Sequence, residues 1–474
     1  MTNNIQVQPR LEFIPQNFNP LVFQWCQLIL PLWLRSRTNI AEIKAENLAT
    51  LVDLYKQFQD NKIRFLMAFR HPNVDDPYCL MYLLTRLLPQ AAKQQGIPLK
   101  KPTHGHFIYD RGIPLWAGSS VGWLYSQLGG TPIHRGKLDR VGLRSIRQLF
   151  VDGQFPMMAS PEGATNGHNE IVSPIEPGIA QMGFWCAEDL LAAKRSEEVF
   201  LLPIGIQYYY INPPWLSLEK LLTQLEIDSG LSPNTNFEFV ISNEVKFTSE
   251  REANLYKRLY RLGFHIVGLM EDFYTKFYHK TPQQISQDSV TDPTELLSLR
   301  LQSLLDTALK VAEESFHIPT KGSVIDRCRK LEQAGWDWIY REDIKNLEVL
   351  SPLERGLADR IAEEASKRMW HMRLVESFVA VTGKYVYEKP SVERFAETTL
   401  LLWDMLTRIK GGNPFKRPKL GKQRVEMSIG NPLSVSSRYD DYKTSRRKAV
   451  NDLTQDLQTG LEKLIVKNSY PNSL

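Results

Sequence analysis

The chain has 474 residues, about three times the usual domain length of ~150 residues, which excludes a small disulfide-stapled scaffold. Hydrophobic residues at 42% and charged residues at 23% are typical of a folded globular protein and argue against extensive disorder. The net charge of +5 is modest, and the four cysteines form no C-x-x-C pair, which argues against a zinc site or a disulfide framework and favours a reducing cytosolic compartment.

The N-terminal segment, residues 1–59, includes a long stretch without a formal charge, residues 13–34. Three prolines interrupt this stretch, and only about 15 uncharged residues run from Pro20 to its end, fewer than the ~20 that a helix needs to span a bilayer. We therefore predict a helix, carrying Trp25 and Trp33, that lies at a membrane interface or packs on the core. The first residues lack the basic and apolar regions of a secretory signal, so we expect the protein to remain inside the cell.

Residues 60–214 alternate between strand-like and helix-like patterns. The apolar run Ile63–Phe69 predicts a strand, and Asp76-Pro77 predicts a helix start, with Asp76 as N-cap and Pro77 in the first turn. Two further strand-like runs follow at Pro156–Ala159 and Val199–Ile206. A helical stretch at 179–195 lies between them. This order indicates an α/β core with a mixed sheet flanked by helices.

After residue 214 the pattern changes to long segments of helical period, so residues 215–420 are predicted to form a predominantly α-helical insertion. Its predicted helices are 250–279, 293–315, 352–382 and 391–409. Residues 421–474 then return to a strand at 425–429 and an amphipathic helix at 444–466. A strand and a helix after so much helix indicate that the chain ends back on the α/β core.

The first candidate site lies in the predicted loop between strand and helix, where His71 and Asp76 are five positions apart. Such loops are where α/β proteins place catalytic groups. Asp76 is suited to orient the His71 imidazole, which leaves the other ring nitrogen to take a proton from a hydroxyl. The alternative is that Asp76 only caps a helix and His71 is an ordinary loop residue.

Three further segments contain candidate binding residues. A glycine-containing turn at 129–137 presents Arg135 and Lys137, whose guanidinium and ammonium groups are suited to a phosphate. A Pro/Gly loop after the second strand-like run holds Glu162 in a constrained turn, where its carboxylate can hydrogen-bond a polar acceptor. The apolar run around Pro203 has no ionisable group and is predicted to pack or to line a site. Taken singly, each segment is also compatible with an ordinary turn or strand.

In order and spacing, these four blocks resemble the glycerolipid acyltransferase family that includes 1-acylglycerol-3-phosphate acyltransferases. The resemblance covers residues 60–210, with a fainter return at 425–466, and implies a glycerol-3-phosphate acyltransferase-like core. It implies that His71 is the general base that deprotonates the acceptor hydroxyl and that Asp76 orients it. It also implies binding residues in the later blocks: Arg135 on the acceptor phosphate, Gly130 in the turn, Glu162 and Gly163 at the acceptor site, and Pro203 in the fourth block.

The resemblance further implies an activity in phospholipid biosynthesis. A fatty acyl group would pass from an acyl-carrier-protein or coenzyme A thioester to a lysophospholipid such as lysophosphatidic acid, or to glycerol-3-phosphate. Such a transfer needs a base, a carboxylate partner and oxyanion stabilisation, but no metal or other cofactor. The third block departs from the family in having Ala164 where a threonine usually stands.

Other function classes remain open. The sequence Gly118-Ser119-Ser120-Val121-Gly122 matches the nucleophile elbow of esterases and lipases with Ser120 as nucleophile, although the Gly and Pro before it fit a core strand poorly. A non-catalytic lipid-surface binding module would keep the fold and use the helical insertion as its working part. His104 and His106 would share one face of a strand, but their spacing matches no recognised zinc pattern and their segment is predicted as loop, so no metal site is expected.

The basic cluster, residues 408–424, contains Lys and Arg residues but no Asp or Glu. It is suited to attract phosphate groups or anionic lipid, and the alternative is a solvated basic loop. Only Phe415 supplies an aromatic ring there, so nucleic acid is not expected as a partner. Together with the uncharged N-terminal segment, the cluster predicts a peripheral protein on the cytoplasmic face of a membrane.

Overall fold

The computed structural model describes residues 5–134, 139–232, 247–285, 292–376, 378, 384–414 and 416–465. The chain forms two compact units. The helical unit comprises Met1–Leu11 and Asn212–Gly421, and the α/β unit comprises Glu12–Ile211 and Lys422–Leu474.

The helices are, in chain order, α1 (Pro20–Arg37), α2 (Leu48–Gln59), α3 (Asp76–Tyr82), α4 (Leu88–Gln94), α5 (Ile113–Ala117), α6 (Ser119–Gln127), α7 (Arg140–Asp152), α8 (Gly178–Ala192), α9 (Trp215–Asp228), α10 (Glu250–Tyr278), α11 (Pro293–Phe316), α12 (Val324–Ile339), α13 (Pro352–Glu376), α14 (Tyr385–Glu388), α15 (Val392–Ile409), α16 (Tyr439–Thr444) and α17 (Arg446–Lys463). The strands are β1 (Gln8–Pro9), β2 (Ile40–Glu46), β3 (Ile63–Phe69), β4 (His106–Asp110), β5 (Thr131–Ile133), β6 (Met157–Ala159), β7 (Glu198–Tyr210), β8 (Tyr340–Arg341), β9 (Gln423–Ile429) and β10 (Leu433–Ser434).

The α/β unit contains a mixed sheet with the strand order β2-β9-β7-β3-β6-β4-β5, and β10 also pairs with β7. β3 runs parallel to its neighbours β6 and β7, and β4 runs parallel to β6 and β5. β9 is antiparallel to β7 and parallel to β2. The predicted α/β fold with a mixed sheet flanked by helices is therefore confirmed.

The central strand β3 is buried because its sequence is almost continuously apolar. All residues of β3 are buried, as expected for a parallel strand that is covered on both faces. Successive side chains of a strand point to opposite faces. Phe65 and Met67 accordingly join a core formed with α2, α3 and α4, whereas Leu66 and Ala68 join a second core formed with α7, α8 and α17.

The predicted N-terminal segment, residues 1–59, is divided between the two units at Leu11. α1, β2 and α2 belong to the α/β unit, and β2 pairs with β9 so that Ile43 lies opposite Val425. α1 also continues through Pro31, which the sequence analysis treated as an interruption. The longer segment of the helical unit is Asn212–Gly421. The predicted boundaries were 60–214 for the α/β core, 215–420 for the helical insertion and 421–474 for the return to the core.

Two element bounds near the candidate site differ from the prediction in ways that matter. Asp76 is the first residue of α3 and not its N-cap, and Asp75 in the N-cap position makes no side-chain capping bond. The Asp76 carboxylate is therefore available for other partners. β7 extends beyond the predicted end at Ile206 to Tyr210. Its residue Tyr208 therefore lies beyond the carboxyl end of β3, whose last residue, Phe69, is opposite Ile204.

The helical unit is built around long amphipathic helices. α10, α11 and α15 match their predicted bounds to within one residue, and α13 ends at Glu376. α9 and α10 are joined by a buried ion-pair network, in which Glu226 accepts hydrogen bonds from Arg258 at 2.6 Å and from Arg261 at 2.8 Å. Such charge-assisted bonds are stronger than neutral ones, so they fix the register of the two helices.

Candidate active site

The candidate residues gather at one edge of the sheet. β3, β6, β4 and β5 are mutually parallel, so their carboxyl ends meet at the same edge. His71 follows β3, Glu162 follows β6 and His134 follows β5. Because open α/β sheets bind ligands outside the carboxyl ends of their strands, this edge is the candidate site.

His71 and Asp76 form the centre of the site. Nδ1 of His71 lies 2.8 Å from Oδ2 of Asp76, whose side chain has no exposed surface. The same oxygen accepts a hydrogen bond from the backbone N–H of Asn73 at 2.9 Å. These contacts fix the carboxylate and, through it, the orientation of the imidazole ring.

A tyrosine that the sequence analysis did not identify completes this network. Oη of Tyr208 donates a hydrogen bond to Oδ1 of Asp76 at 2.5 Å, and Sγ of Cys79 lies 3.6 Å from the same phenol oxygen. Burial and the neighbouring Asp76 charge raise the pKa of Tyr208 well above its usual value, so the phenol remains a donor. Because Tyr208 lies 132 positions from Asp76 in an apolar strand, no local sequence pattern pointed to it.

The other ring nitrogen of His71 faces the open side of the site. Because Nδ1 donates to the Asp76 carboxylate, the hydrogen-bond network assigns Nε2 as the unprotonated acceptor. Oγ1 of Thr165 lies 3.3 Å from Nε2, and the His71 side chain is 23% exposed. A substrate hydroxyl at the position of the Thr165 hydroxyl would donate a hydrogen bond to Nε2. General-base catalysis requires such a contact between the base and the hydroxyl.

Glu162 is buried and holds the loops of the site together. Its Oε1 accepts the backbone N–H of His71 at 2.8 Å, while Oε2 accepts hydrogen bonds from Nδ2 of Asn166 at 2.7 Å and the backbone N–H of Ser173 at 2.9 Å. Its side chain has no exposed surface, and Nε of Arg70 lies 3.6 Å from Oε1. The sequence analysis expected Glu162 at the acceptor, but in this geometry its carboxylate positions His71 from inside the protein.

Arg70 anchors the loop that follows β6. Its guanidinium donates hydrogen bonds to the backbone oxygens of His168 at 3.1 Å, of Ile171 at 2.5 Å and of Asn169. The Asn169 side chain in turn exchanges two hydrogen bonds with the backbone of Tyr208, at 2.6 and 2.8 Å. The loop is thereby fixed to both β3 and β7, and neither residue was predicted from the sequence.

Two glycines of the predicted blocks are required by the shape of the backbone. Gly163 has a φ of +71°, a conformation that glycine adopts without strain. A Cβ on Gly130 would lie 2.5 Å from the ring of Phe107 and 3.0 Å from the carbonyl oxygen of Tyr125, so a larger residue does not fit. Both glycines therefore shape turns of the site.

The predicted phosphate-binding residues Arg135 and Lys137 lie outside the described residues, but the structure describes the chain on both sides of them. The backbone N–H of His134 donates to Oδ2 of Asp139 at 2.8 Å, and the other oxygen of Asp139 caps α7. Arg111 also pairs with this carboxylate. His134 and Asp139 therefore lie beside the carboxyl edge of the sheet.

Pro203 lies in the interior of the sheet, opposite Ala68 of β3. A proline lacks the N–H that a central strand normally donates. On the other side of β7, however, β9 ends at Ile429 and β10 begins at Leu433, so Pro203 faces the gap between them. Its carbonyl accepts the N–H of Gly430 at 2.9 Å, which makes Pro203 a packing residue of the sheet.

The structure thus brings His71, Asp76 and Glu162 together and adds Tyr208 and Thr165. No family model, curated protein or solved structure gives a significant match to this chain. The geometry of the site supplies a buried carboxylate, an imidazole with an accessible acceptor nitrogen, and a hydroxyl position beside it.

An exposed apolar surface lies close to this site. It is the apolar stripe of α1, whose four members are each 66–68% exposed: Leu21, Trp25, Leu28 and Leu32. The buried residues of α1 lie on the opposite face of the helix. Trp33 packs against Tyr78 of α3 with ring centroids 6.0 Å apart, and α3 carries Asp76. Among the helices that the structure describes, none is both long enough and apolar enough to cross a membrane.

Ser120 does not lie in a nucleophile elbow. It belongs to α6, and the element that leads into α6 is another helix, α5, rather than a strand. An esterase elbow needs a sharp strand-to-helix turn that lifts the serine above the sheet. The local fold therefore gives the hydrolase alternative no support.

His104 and His106 are buried and hold the turn that precedes β5. Nε2 of His104 donates to the Leu128 carbonyl at 2.8 Å, and Nδ1 of His106 donates to the Gly129 carbonyl at 3.0 Å. Burial lowers the pKa of His104 to about 4, so this ring is neutral near pH 7. Within the described ranges, no group of three or more His, Cys, Asp or Glu is placed to hold a metal ion.

The basic cluster is divided between the two units, because the boundary falls at Gly421. Several of its members form ion pairs, namely Lys410 with Asp228 at 2.6 Å, Arg417 with Asp404, and Arg424 with Glu426 at 2.8 Å. These pairs reduce the charge that the cluster can offer to an anionic surface. Any membrane contact of the α/β unit therefore depends more on the apolar stripe.

Proposed function

We propose that the α/β unit is an O-acyltransferase that moves a fatty acyl group from a thioester to the hydroxyl of a phosphorylated glycerolipid or of glycerol-3-phosphate. The observation that carries this proposal is the network of His71, Asp76 and Tyr208, which leaves Nε2 of His71 facing a hydroxyl position. The resemblance of the four sequence blocks to the glycerolipid acyltransferase family supports the same assignment.

In the proposed reaction the acceptor hydroxyl replaces the Thr165 hydroxyl beside Nε2 of His71. His71 takes the hydroxyl proton while the acceptor oxygen attacks the thioester carbonyl and forms a tetrahedral intermediate. Collapse of the intermediate breaks the carbon–sulfur bond and leaves the new ester, and the departing thiolate takes the proton from His71. Asp76 stabilises the transient imidazolium, and Tyr208 holds Asp76 in place.

The acceptor class rests on the second sequence block. By the family resemblance, Arg135 binds the acceptor phosphate, for which its guanidinium offers a planar fork of donors. The nearby Lys137 adds a point charge by its own chemistry. The described residues on either side, His134 and Asp139, are joined by a hydrogen bond beside the sheet edge, and Asp139 also pairs with Arg111. Lysophosphatidic acid and glycerol-3-phosphate both offer a phosphate and a free hydroxyl, and acyl-carrier-protein or coenzyme A thioesters are the donors.

We also propose that the α/β unit meets its lipid at the cytoplasmic face of a membrane through the apolar stripe of α1. The helix contains no acidic residue, and its last turn carries Arg35 and Arg37. An apolar face with an aromatic residue and flanking cations is the pattern of helices that lie in a lipid interface. The contact between Trp33 and Tyr78 then places α3 and its Asp76 close to the lipid surface.

The decisive experiment replaces His71 with Ala in the full chain. Acyl transfer from acyl-carrier-protein and coenzyme A thioesters to both acceptors is measured, and the general base is expected to contribute about 10²- to 10⁴-fold. His317→Asn is the matched control, because His317 is an exposed helix cap with a φ of +54° that asparagine tolerates. A folded His71→Ala protein that transfers acyl groups at the unchanged rate would exclude the proposed mechanism.

A further inference from the structure

A second candidate ligand site lies within the helical unit. A partly open apolar cavity of about 120 Å³ is lined by residues of α10, α11, α13, α14 and α15. Its lining on α10 runs from Tyr256 to Tyr274, which corresponds to a length of about 27 Å at the helical rise of 1.5 Å per residue. So small a volume over such a length describes a narrow channel that is suited to one extended chain rather than to a compact ring system.

The wall of the cavity offers almost no polar group to a ligand. The hydroxyls of its tyrosines are directed into the protein: Tyr256 bonds Thr294 at 3.2 Å, Tyr260 donates to the Pro293 carbonyl at 2.9 Å, and Tyr274 bonds His371 at 2.8 Å. Leucine, isoleucine, valine and methionine side chains make up most of the remaining surface. Apolar cavities of comparable size stay dry and bind apolar molecules, so the chemistry fits a hydrocarbon chain.

Two arginines flank the part of the cavity that Leu374 and Met405 line. Arg373 precedes Leu374 on α13, and Arg408 lies one helical turn beyond Met405 on α15. Nε of Arg408 is buried and has no hydrogen-bond partner in the part of the chain that the structure describes. Burial and the charge of Arg373 lower the pKa of Arg408, and the nearby carboxylates of Asp404 and Glu376 offset this only in part. Because the net effect is a lowered pKa, a further anion would stabilise this arginine.

We propose that this cavity is a lipid-binding site of the helical unit that takes one fatty acyl chain, with the carboxylate of a free fatty acid directed to Arg408. The channel length and the apolar wall select the chain, and the buried unpaired guanidinium nitrogen selects the carboxylate. The site is independent of the acyltransfer proposal, because all of its residues belong to the helical unit.

The test measures binding of cis-parinaric acid, a fluorescent fatty acid, to the full chain, with palmitate as competitor. Gly263 lines the cavity, and a Cβ there would make only an ordinary contact, 3.6 Å from Leu297, so Gly263→Leu fills the channel. We expect binding to weaken at least about tenfold. Gly356→Leu is the matched control, since Gly356 also lies in a helix but has open space around it. Unchanged binding by a folded Gly263→Leu protein, or equal loss in both variants, would overturn the proposal.

The head-group assignment has its own test. Arg408→Gln should weaken cis-parinaric acid binding about tenfold and leave binding of its methyl ester unchanged, because only the acid carries a charge for the guanidinium. Arg360→Gln is the control at an arginine whose side chain is 64% exposed. Equal effects of Arg408→Gln on the acid and the ester would refute the carboxylate contact. If Gly263→Leu does not fold, Leu301→Phe narrows the same cavity from α11, and unchanged binding by that variant would overturn the site.

Discussion

Glu162 either binds the substrate or positions His71, and the Glu162→Gln substitution distinguishes these two roles. The substitution keeps the size of the side chain but removes its charge. In the structure, the Glu162 carboxylate lies beside the fully buried guanidinium of Arg70 and accepts a hydrogen bond from the backbone N–H of His71. The variant therefore leaves a buried cation without its anionic partner and weakens the hold on His71.

The expected loss of stability is large because the pair has no exposed surface. Removing one partner of a buried ion pair costs about 3–5 kcal/mol. For a unit of this size, each kcal/mol lowers the unfolding temperature by roughly 2–4 °C, so the transition of the α/β unit should fall by about 6–20 °C. Glu188→Gln is the control, because it breaks the exposed ion pair with Arg446 and should cost less than about 1 kcal/mol.

Calorimetry of the full chain gives the unfolding temperature, and steady-state kinetics on the same samples separates kcat from KM. A positioning role predicts a lower unfolding temperature and a lower kcat, with little change in the KM of the phosphorylated acceptor. An unchanged unfolding temperature with a selectively raised acceptor KM would show that Glu162 contacts the substrate. That result would refute the role assigned from its burial.

Further predictions concern Thr165, α1 and His104. Thr165→Val should lower the acceptor KM up to roughly tenfold at unchanged kcat, because the acceptor no longer displaces a hydroxyl from His71; a loss of kcat would instead make that hydroxyl part of the reaction. Changing Trp25 and Leu28 to Ser should reduce flotation with anionic liposomes. Leu353→Ser, at a residue that is 73% exposed in the helical unit, should leave flotation unchanged. Equal flotation of all variants would count against membrane binding through the apolar stripe. His104 has a folded-state pKa below its unfolded value, so the unfolded chain binds a proton first as the pH falls. Stability should therefore decline between about pH 6.5 and 4 by up to about 3 kcal/mol, and His104→Phe should flatten that decline in pH-dependent unfolding.

The parts of the fold that could be predicted are those with a strong local pattern. β3 has its predicted bounds because a continuous apolar run of strand length is buried on both faces. β2 was missed because Glu42, Lys44 and Glu46 interrupt its apolar residues and face outward in an edge strand. Its partner β9 lies far away in the sequence, so no local pattern around β2 indicates a strand.

The same distinction applies to the candidate site. His71 and Asp76 were predictable as a pair because both lie in one short loop. Tyr208 and Thr165 reach that pair only through the fold, across 132 and 94 positions of sequence. The burial of Glu162 could not be predicted for a related reason, since its buried partner Arg70 is brought beside it only by the fold.

The way the helical unit is attached has a consequence for taking the protein apart. β7 and β9 are antiparallel, with Tyr210 opposite Gln423, and the N–H of Ile211 donates to the Lys422 carbonyl at 3.0 Å. The two strands thus form a β-hairpin whose loop is roughly 210 residues long, and loop-closure entropy grows only slowly with such length. A two-residue Asn-Gly turn in place of residues 212–421 would rejoin the same two strands in register. Residues 1–11 also belong to the helical unit and would be removed with it. The shortened chain should keep the sheet and the His71 site, so any ligand that it no longer binds can be assigned to the parts removed.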